Sequence, residues 1–323
     1  MKARSRSSRH RAGTSLLALG ALAAGGGWGA RDPGPVLRRY YAPLARVERR
    51  AAPAFGAGVE RWKLITARGD TVRALWRAAR PGLPRPWTAV MMGGLQTGDR
   101  AALLLPPEAP FHVLAVDWPW PGSRTLTPTE FALQLPAIER AALRSPSVLA
   151  LAAEAVARAP GVDPARIVLV GASLGVPPAL AALRLTAVPD ALVLVDGAAD
   201  LELLMRLGLE RHGWLHAPAT VTAALAYQAA WPLEPALNAR AASGLPVLLM
   251  NSVRDERTPR SAVLELHACL PRATVRWRGD PHLHPSQGDV ISRLAGDADA
   301  WLRARDPGRA AGPEPRAAPS GPR

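Results

Sequence analysis

A serine between two glycines is the clearest candidate for chemistry in this chain. Residues 171–175 read Gly-Ala-Ser-Leu-Gly, with Ser173 at the centre, and they follow the β-branched run Ile167–Val170. A strand, a sharp strained turn and a helix in this order raise a serine hydroxyl above the end of a sheet, and the glycines let the two backbones approach closely. The start of the helix then presents free N–H groups to an oxyanion. The pattern therefore predicts Ser173 as a nucleophile.

With this motif the chain resembles the α/β-hydrolase superfamily over roughly residues 55–303. The resemblance implies an α/β fold with a sheet of about eight strands, mostly parallel, helices on both faces and a small helical cap. It also implies a catalytic triad in the chain order serine, acid, histidine, and an oxyanion hole partly supplied by the loop after the third strand. Such a triad needs no metal or organic cofactor.

The resemblance places the acid after the next-to-last strand. The predicted strand Val247–Met250 leads into a loop in which Asp255 lies five residues past the strand end. An acid here would hold the imidazole in the correct tautomer and stabilise the imidazolium. Two alternatives stay open. Asp196 ends the preceding strand, where some hydrolases carry the acid, and Asp255 could be only a solvated or ion-paired loop charge.

Two histidines follow the last predicted strand, Thr274–Arg278, in the loop that begins at Gly279. His282 is the preferred base, since the family commonly places its histidine shortly after a glycine in this loop, and His284 is the alternative. A neutral imidazole takes the serine proton and returns it to the leaving group. A metal site is a competing interpretation, because the two imidazoles share one face of an extended segment and lie close to Asp280.

A glycine pair follows the strand Thr88–Met92, at the place where the family usually has a His-Gly pair. This chain has Gly93 and Gly94 and lacks the histidine. Because backbone N–H groups form an oxyanion hole, the turn can still direct the N–H of Leu95 toward the serine, and Leu174 would supply the second donor. An ordinary glycine-rich turn is the alternative.

Residues 201–245 lie where hydrolases of this type insert a helical cap, and Leu201–Leu209 and Val221–Trp231 have helical patterns. Several aromatic side chains could line a substrate pocket or simply pack against the core: Trp214, Tyr227 and Trp231 in the cap, and Trp118 and Trp120 after a strand end. His212 and His216 have the spacing of one helix face but lack the glutamate of an H-E-x-x-H zinc motif, which favours surface histidines on a helical insertion.

Strand and helix patterns alternate through the middle of the chain. Val59–Thr66 and Val72–Arg77 flank a turn at residues 68–70 and predict an antiparallel hairpin. The remaining predicted strands are Thr88–Met92, Phe111–Val116, Ile167–Val170, Leu192–Val195, Val247–Met250 and Thr274–Arg278. Outside the cap, the predicted helices are Val148–Arg158, Leu174–Leu185 and Val290–Leu302. Apolar strands that alternate with helices predict a sheet covered on both faces.

The two ends of the chain differ from this middle part. Residues 1–30 combine a basic start with a charge-free apolar stretch, the pattern of a signal peptide or an N-terminal membrane anchor. Residues 31–54 are expected to form a helical or linker segment and residues 304–323, rich in Pro, Gly, Ala and Arg, a disordered tail. We expect an exported or membrane-tethered protein, or a cytoplasmic one if the first segment is only a disordered leader.

The net charge of +14 first suggests a nucleic-acid partner, but the location of the charge argues against one. Residues 1–11 carry +5 and residues 303–323 carry +3, which leaves +6 for the rest of the chain. No basic run is interleaved with aromatic residues, so we expect no nucleic-acid binding. The single cysteine, Cys269, excludes a disulfide within the chain.

Together these patterns predict a serine hydrolase that acts on the ester or thioester bond of a small acyl substrate through an acyl-enzyme. The same fold also supports acyltransferases and peptidases, because a fold does not settle function. A catalytically inactive binding protein with this fold is the alternative from another functional class.

Overall fold

A sheet of nine strands forms the centre of the computed structural model, which describes residues 31–95, 97–120, 122 and 128–305. In chain order the strands are β1 (Leu44–Ala51), β2 (Val59–Thr66), β3 (Thr71–Arg77), β4 (Thr88–Met92), β5 (His112–Val116), β6 (Ile167–Ala172), β7 (Ala191–Val195), β8 (Val247–Ser252) and β9 (Thr274–Arg278). Their order across the sheet is β1-β2-β3-β5-β4-β6-β7-β8-β9. The pairs from β1 to β5 are antiparallel, and every pair from β5–β4 onward is parallel. The mostly parallel sheet and its first hairpin are confirmed.

The ninth strand is β1, which lies inside the segment 31–54 where a helix or linker was expected. That segment also contains the helix α1 (Gly34–Tyr40). Along β1 only Leu44 is buried, because the strand forms an edge of the sheet and carries three arginine side chains into solvent. An edge strand with many charged residues lacks the alternation of apolar and polar residues from which a strand is predicted.

Helices cover both faces of the sheet, as expected. After α1 they are α2 (Pro128–Ala157), α3 (Val176–Ala182), α4 (Leu201–Arg211), α5 (His216–Ala230), α6 (Pro235–Asn238), α7 (Arg260–Cys269) and α8 (Gly288–Arg303). One face of the sheet packs against apolar residues of α2, α3 and α7, and the other packs against α8 and a short 3-10 helix, Gly98–Leu103. The central strands β4 to β8 are apolar on both faces because both faces are covered.

The helix α2 is much longer than the predicted Val148–Arg158. It begins at Pro128 and contains Pro136 and Pro146. Proline removes a backbone hydrogen bond and crowds the preceding turn, so each one indicates a helix end in a sequence. Here the second half of the helix is buried between the sheet and α3, and this packing outweighs the local preference.

The helices α4 and α5 lie between β7 and β8, where the cap was expected. His212 and His216 do not share a helix face, because α4 ends at Arg211 and α5 begins at His216. The buried carboxylate of Glu234 accepts hydrogen bonds from the backbone N–H groups of Asp200 (3.0 Å) and Leu201 (2.9 Å) at the start of α4. Burial raises the pKa of Glu234, although these N–H groups oppose the shift.

The expected signal or anchor segment 1–30 lies outside the described residues, as do residues 306–323 of the expected tail. Within the part of the chain that the structure describes, no helix is both long and apolar enough to span a membrane.

Candidate active site

Ser173 lies in the turn between β6 and α3, at the end of the sheet where the parallel strands finish. Its φ of 52° is in the left-handed region, which costs a non-glycine residue about 1–3 kcal/mol. A Cβ atom at Gly175 would lie 2.0 Å from the carbonyl oxygen of Met92, and one at Gly171 would lie 2.7 Å from the carbonyl oxygen of Gly175. Both glycines are therefore required for the close approach of strand and helix.

The structure brings Ser173, His282 and Asp255 together from three separate loops. Ser173 Oγ lies 2.8 Å from Nε2 of His282, and Nδ1 of His282 lies 2.8 Å from Oδ2 of Asp255. With its proton on Nδ1, the imidazole donates to the carboxylate and accepts the serine hydroxyl at Nε2. The His282 and Asp255 side chains are each only 3% exposed, so water competes little for these hydrogen bonds.

The carboxylate of Asp255 is held in place by backbone N–H groups of the loop after β8. Its Oδ1 accepts hydrogen bonds from the N–H groups of Arg257 and Thr258, each at 2.8 Å. Burial alone would raise the pKa of this carboxyl, but the hydrogen bonds from His282 and the two N–H groups outweigh burial and lower its pKa below the ordinary value. The group is therefore a carboxylate at neutral pH, with one oxygen free to orient the imidazole.

Asp196, the rival acid, lies close by but contacts the loop and not the imidazole. Its Oδ2 accepts hydrogen bonds from the guanidinium of Arg278 and from the backbone N–H of Leu283 (2.7 Å), the residue after His282. The Asp196 side chain is fully buried, and burial raises its pKa although Arg278 opposes the shift. Asp196 thus fixes the segment that carries the histidine.

His284, the rival base, contacts a different serine. It is exposed, and its Nδ1 lies 2.8 Å from Oγ of Ser286. The carboxylate of Asp280 pairs with Arg293 at 2.7 Å, so the group of Asp280, His282 and His284 considered as a metal site is not assembled.

Another group of potential ligand atoms lies within the site itself. Atoms of Asp196, Asp255 and His282 lie within 4.8 Å of one another. The guanidinium of Arg278 already contacts Asp196, and both nitrogens of His282 have partners. In this arrangement Nδ1 of His282 carries the proton donated to Asp255 and Nε2 accepts the serine hydroxyl, so the imidazole has no lone pair left for a metal.

The loop after β4 holds the two glycines expected to shape an oxyanion hole. Trp118 donates its ring N–H to the carbonyl oxygen of Gly93 at 3.0 Å, and Thr97 donates its hydroxyl to the carbonyl oxygen of Gly94 at 2.8 Å. Leu95 and Leu174 line one cavity. That their N–H groups bind an oxyanion stays a prediction.

The chain matches no family model and no curated protein sequence. Its structure is similar to acetyl xylan esterase 1 from a Thermoanaerobacterium species, with a TM-score of 0.60 and 17% identity over 84% of this chain and 94% of that one. It is also similar to a Mycobacterium tuberculosis puromycin-hydrolyzing peptidase (TM-score 0.56, 18% identity, 83% of this chain and 41% of that one). A third similar structure is the Pyrococcus horikoshii acylaminoacyl peptidase (TM-score 0.55, 15% identity, 84% and 42%).

The chain has the α/β-hydrolase fold. The recognition made from the Gly-Ala-Ser-Leu-Gly motif is confirmed at this level. The chain spans less than half the length of the two peptidases and nearly all of the esterase.

In this α/β-hydrolase fold, an apolar cavity of about 530 Å³ lies between α2, α3 and the cap helices α4 and α5. Three of the five aromatic residues considered for a pocket line it: Trp118, Trp120 and Trp214. Tyr227 and Trp231 belong instead to the packing between the cap and the core. The cavity reaches Leu174, the neighbour of the serine in the chain.

Sequence reasoning missed the residues that fix the histidine loop. Arg278 at the end of β9 contacts Asp196 and also donates to the carbonyl oxygen of Pro281 at 2.7 Å. Ser252 at the end of β8 donates to the carbonyl oxygen of Asp280. The sequence did contain one signal for the contact between Asp196 and Arg278. These two residues have opposite charges and both lie at the ends of parallel strands, which meet at the same edge of a sheet.

Proposed function

We propose that this protein is a serine hydrolase that cleaves ester bonds through an acyl-enzyme on Ser173. The observation that carries the proposal is the unbroken chain of contacts from Ser173 Oγ through His282 to Asp255, with 2.8 Å at each step, on a turn with the strained geometry of a nucleophile elbow. A nucleophile, a base and a group that orients the base are the parts that acyl transfer requires.

In the first half of the reaction, Ser173 Oγ attacks the carbonyl carbon and His282 Nε2 takes the serine proton. The carbonyl π electrons move to the oxygen, and we assign the N–H groups of Leu95 and Leu174 to bind this oxyanion. When the tetrahedral intermediate collapses, the C–O bond to the alcohol breaks and His282 gives its proton to the leaving oxygen.

In the second half, His282 takes a proton from a water molecule as the water oxygen attacks the carbonyl carbon of the acyl-enzyme. The bond between the acyl carbon and Ser173 Oγ then breaks, the serine recovers its proton and the carboxylic acid leaves. Asp255 remains a carboxylate throughout, as its lowered pKa favours, and stabilises the imidazolium twice in each cycle.

Similar structures support hydrolysis but differ in the bond cleaved, since they include esterases and peptidases. Because an ester is intrinsically easier to cleave than an amide, we take an ester or thioester as the substrate. Hydrolysis of aminoacyl anilides faster than of matched esters would favour the peptidase alternative.

Turnover of p-nitrophenyl butyrate by the full chain tests the proposal. We expect Ser173→Ala to lower kcat by about 10⁴–10⁶-fold with an unchanged circular dichroism spectrum. The matched control is Ser292→Ala on the exposed face of α8, which should keep wild-type activity. Turnover that survives Ser173→Ala would overturn the nucleophile assignment.

A further inference from the structure

The wall of the cavity under the cap offers little to a polar ligand. Apart from tryptophan, three of the residues that line it have polar side chains: Glu139, Ser145 and His212. The hydroxyl of Ser145 is buried and donates to the carbonyl oxygen of Ala142 at 2.5 Å, within its own helix. His212 is exposed and its Nδ1 lies 3.0 Å from the carbonyl oxygen of Gly208, and Glu139 is only half-buried, so both lie toward solvent. Leucine, methionine, alanine and proline side chains form most of the remaining wall.

The position of the cavity relative to the site indicates which part of an ester it receives. Leu95 and Leu174, the proposed oxyanion donors, line the cavity, so a carbonyl group bound there has its acyl chain at the cavity mouth. The leaving oxygen must face His282, which protonates it. No described residue of the loop from Gly279 to Gln287 lines the cavity, so the alcohol leaves on the opposite side.

We infer that the substrate is an ester with a large apolar acyl group, such as an alkyl chain of medium length, and that this group fills the cavity between α2, α3 and the cap. The inference rests on the proposed function, because it places the acyl carbon beside Ser173. A cavity of about 530 Å³ is within the range of roughly 300–1,000 Å³ that holds small ligands.

Gly208 in α4 is a position where an added side chain tests the cavity. It lines the cavity, and a Cβ atom added there would meet no other atom within 4 Å. A side chain at this position therefore extends into open space. Gly296 in α8 is the matched control, since it is also a helical glycine with open space around its Cβ, and it lies outside the cavity.

The experiment compares kcat/KM for p-nitrophenyl acetate, butyrate, hexanoate and octanoate in the full-length wild type, Gly208→Leu and Gly296→Leu. In the wild type we expect kcat/KM to rise by up to about fourfold for each methylene group buried. In Gly208→Leu the ratio of octanoate to acetate should fall at least about tenfold, because the leucine occupies the space of several methylene groups. Acetate hydrolysis should fall much less than octanoate hydrolysis, because the acetyl group is too short to fill the cavity, and Gly296→Leu should match wild type with every ester.

The outcomes separate this inference from the proposed function. If acetate hydrolysis depends on Ser173 but the wild type shows no preference for longer acyl chains, or Gly208→Leu leaves the ratio unchanged, the cavity does not hold the acyl group. If the preference instead follows the alcohol part in a series of alkyl acetates, the orientation is reversed and the inference is wrong. If no ester is hydrolysed in a Ser173-dependent manner, the proposed function itself fails.

Discussion

Replacement of Asp196 by asparagine distinguishes the role of Asp196 from that of Asp255, the other carboxylate near the histidine. The change keeps the shape of the side chain but removes the charge that faces Arg278, whose side chain is only 11% exposed. The guanidinium then has Asp280 as its nearest charged partner, at 3.9 Å and partly in solvent. Removing one partner of a buried ion pair costs about 3–5 kcal/mol, so we expect the free energy of unfolding of Asp196→Asn to fall by about this amount.

The effect on catalysis should be smaller than that of Asp255→Asn. An asparagine at 196 can still accept the N–H of Leu283, and His282 keeps its hydrogen bond to Asp255. We therefore expect kcat to fall at most about 100-fold, as for a small misplacement of a catalytic group. Asp255→Asn directs an amide N–H at Nδ1 and favours the wrong tautomer, which should lower kcat about 10⁴-fold.

Urea unfolding followed by tryptophan fluorescence, together with kcat for p-nitrophenyl butyrate, measures both effects. Asp280→Asn is the matched control, since it removes a partly exposed carboxylate from the same arginine and should cost about 1 kcal/mol or less. Adding Arg278→Met to Asp196→Asn should restore part of the lost stability, because no buried charge is left without a partner. If Asp196→Asn kept full stability and lowered kcat as much as Asp255→Asn, Asp196 would be the catalytic acid and our reasoning would be refuted.

Two further predictions follow from the packing of the elbow and the pKa of the acid. Gly175→Ala places a Cβ atom 2.0 Å from the Met92 carbonyl oxygen and should lower the free energy of unfolding by about 1–3 kcal/mol or more, whereas Gly296→Ala in open helix space should raise it by up to about 1 kcal/mol. Equal unfolding midpoints in urea for the two variants would contradict this packing. Because the folded-state pKa of Asp255 is lowered, its contribution to stability is present above the unfolded value of about 3.9 and is lost as the pH falls through the folded value. The difference in the free energy of unfolding between wild type and Asp255→Asn should therefore decrease as the pH is lowered from about 5 to about 2. If this difference stayed constant, the carboxylate would gain no stability from its hydrogen-bond partners.

The sequence was sufficient for the features that depend on local pattern. The central parallel strands, β4 to β8, are mostly apolar runs that begin and end close to the predicted residues. The serine turn is specified by two glycines at positions where a Cβ atom would clash. Asp255 and His282 were preferred from the family's spacing, and the structure places Asp255 in contact with His282 and His282 in contact with Ser173.

Other features could not be derived because tertiary contacts decide them. The edge strand β1 is mostly exposed, so its stability comes from pairing with β2 and not from its own apolar pattern. The helix α2 continues past two prolines because its last turns are buried. The sequence indicated Asp196 as a candidate acid because it follows a strand end. Its role beside the histidine loop depends on the register of β7, β8 and β9, which brings Arg278 into contact with it.

Labelling with a fluorophosphonate, followed by peptide mapping, tests the central claim most directly. Attack by an activated serine displaces fluoride from phosphorus and leaves a stable covalent product on that oxygen. We predict one label per chain on Ser173, lost in His282→Ala and retained in His284→Ala, since only His282 contacts the serine among these two histidines. A label on another residue, or labelling of Ser173 that does not depend on His282, would contradict the account.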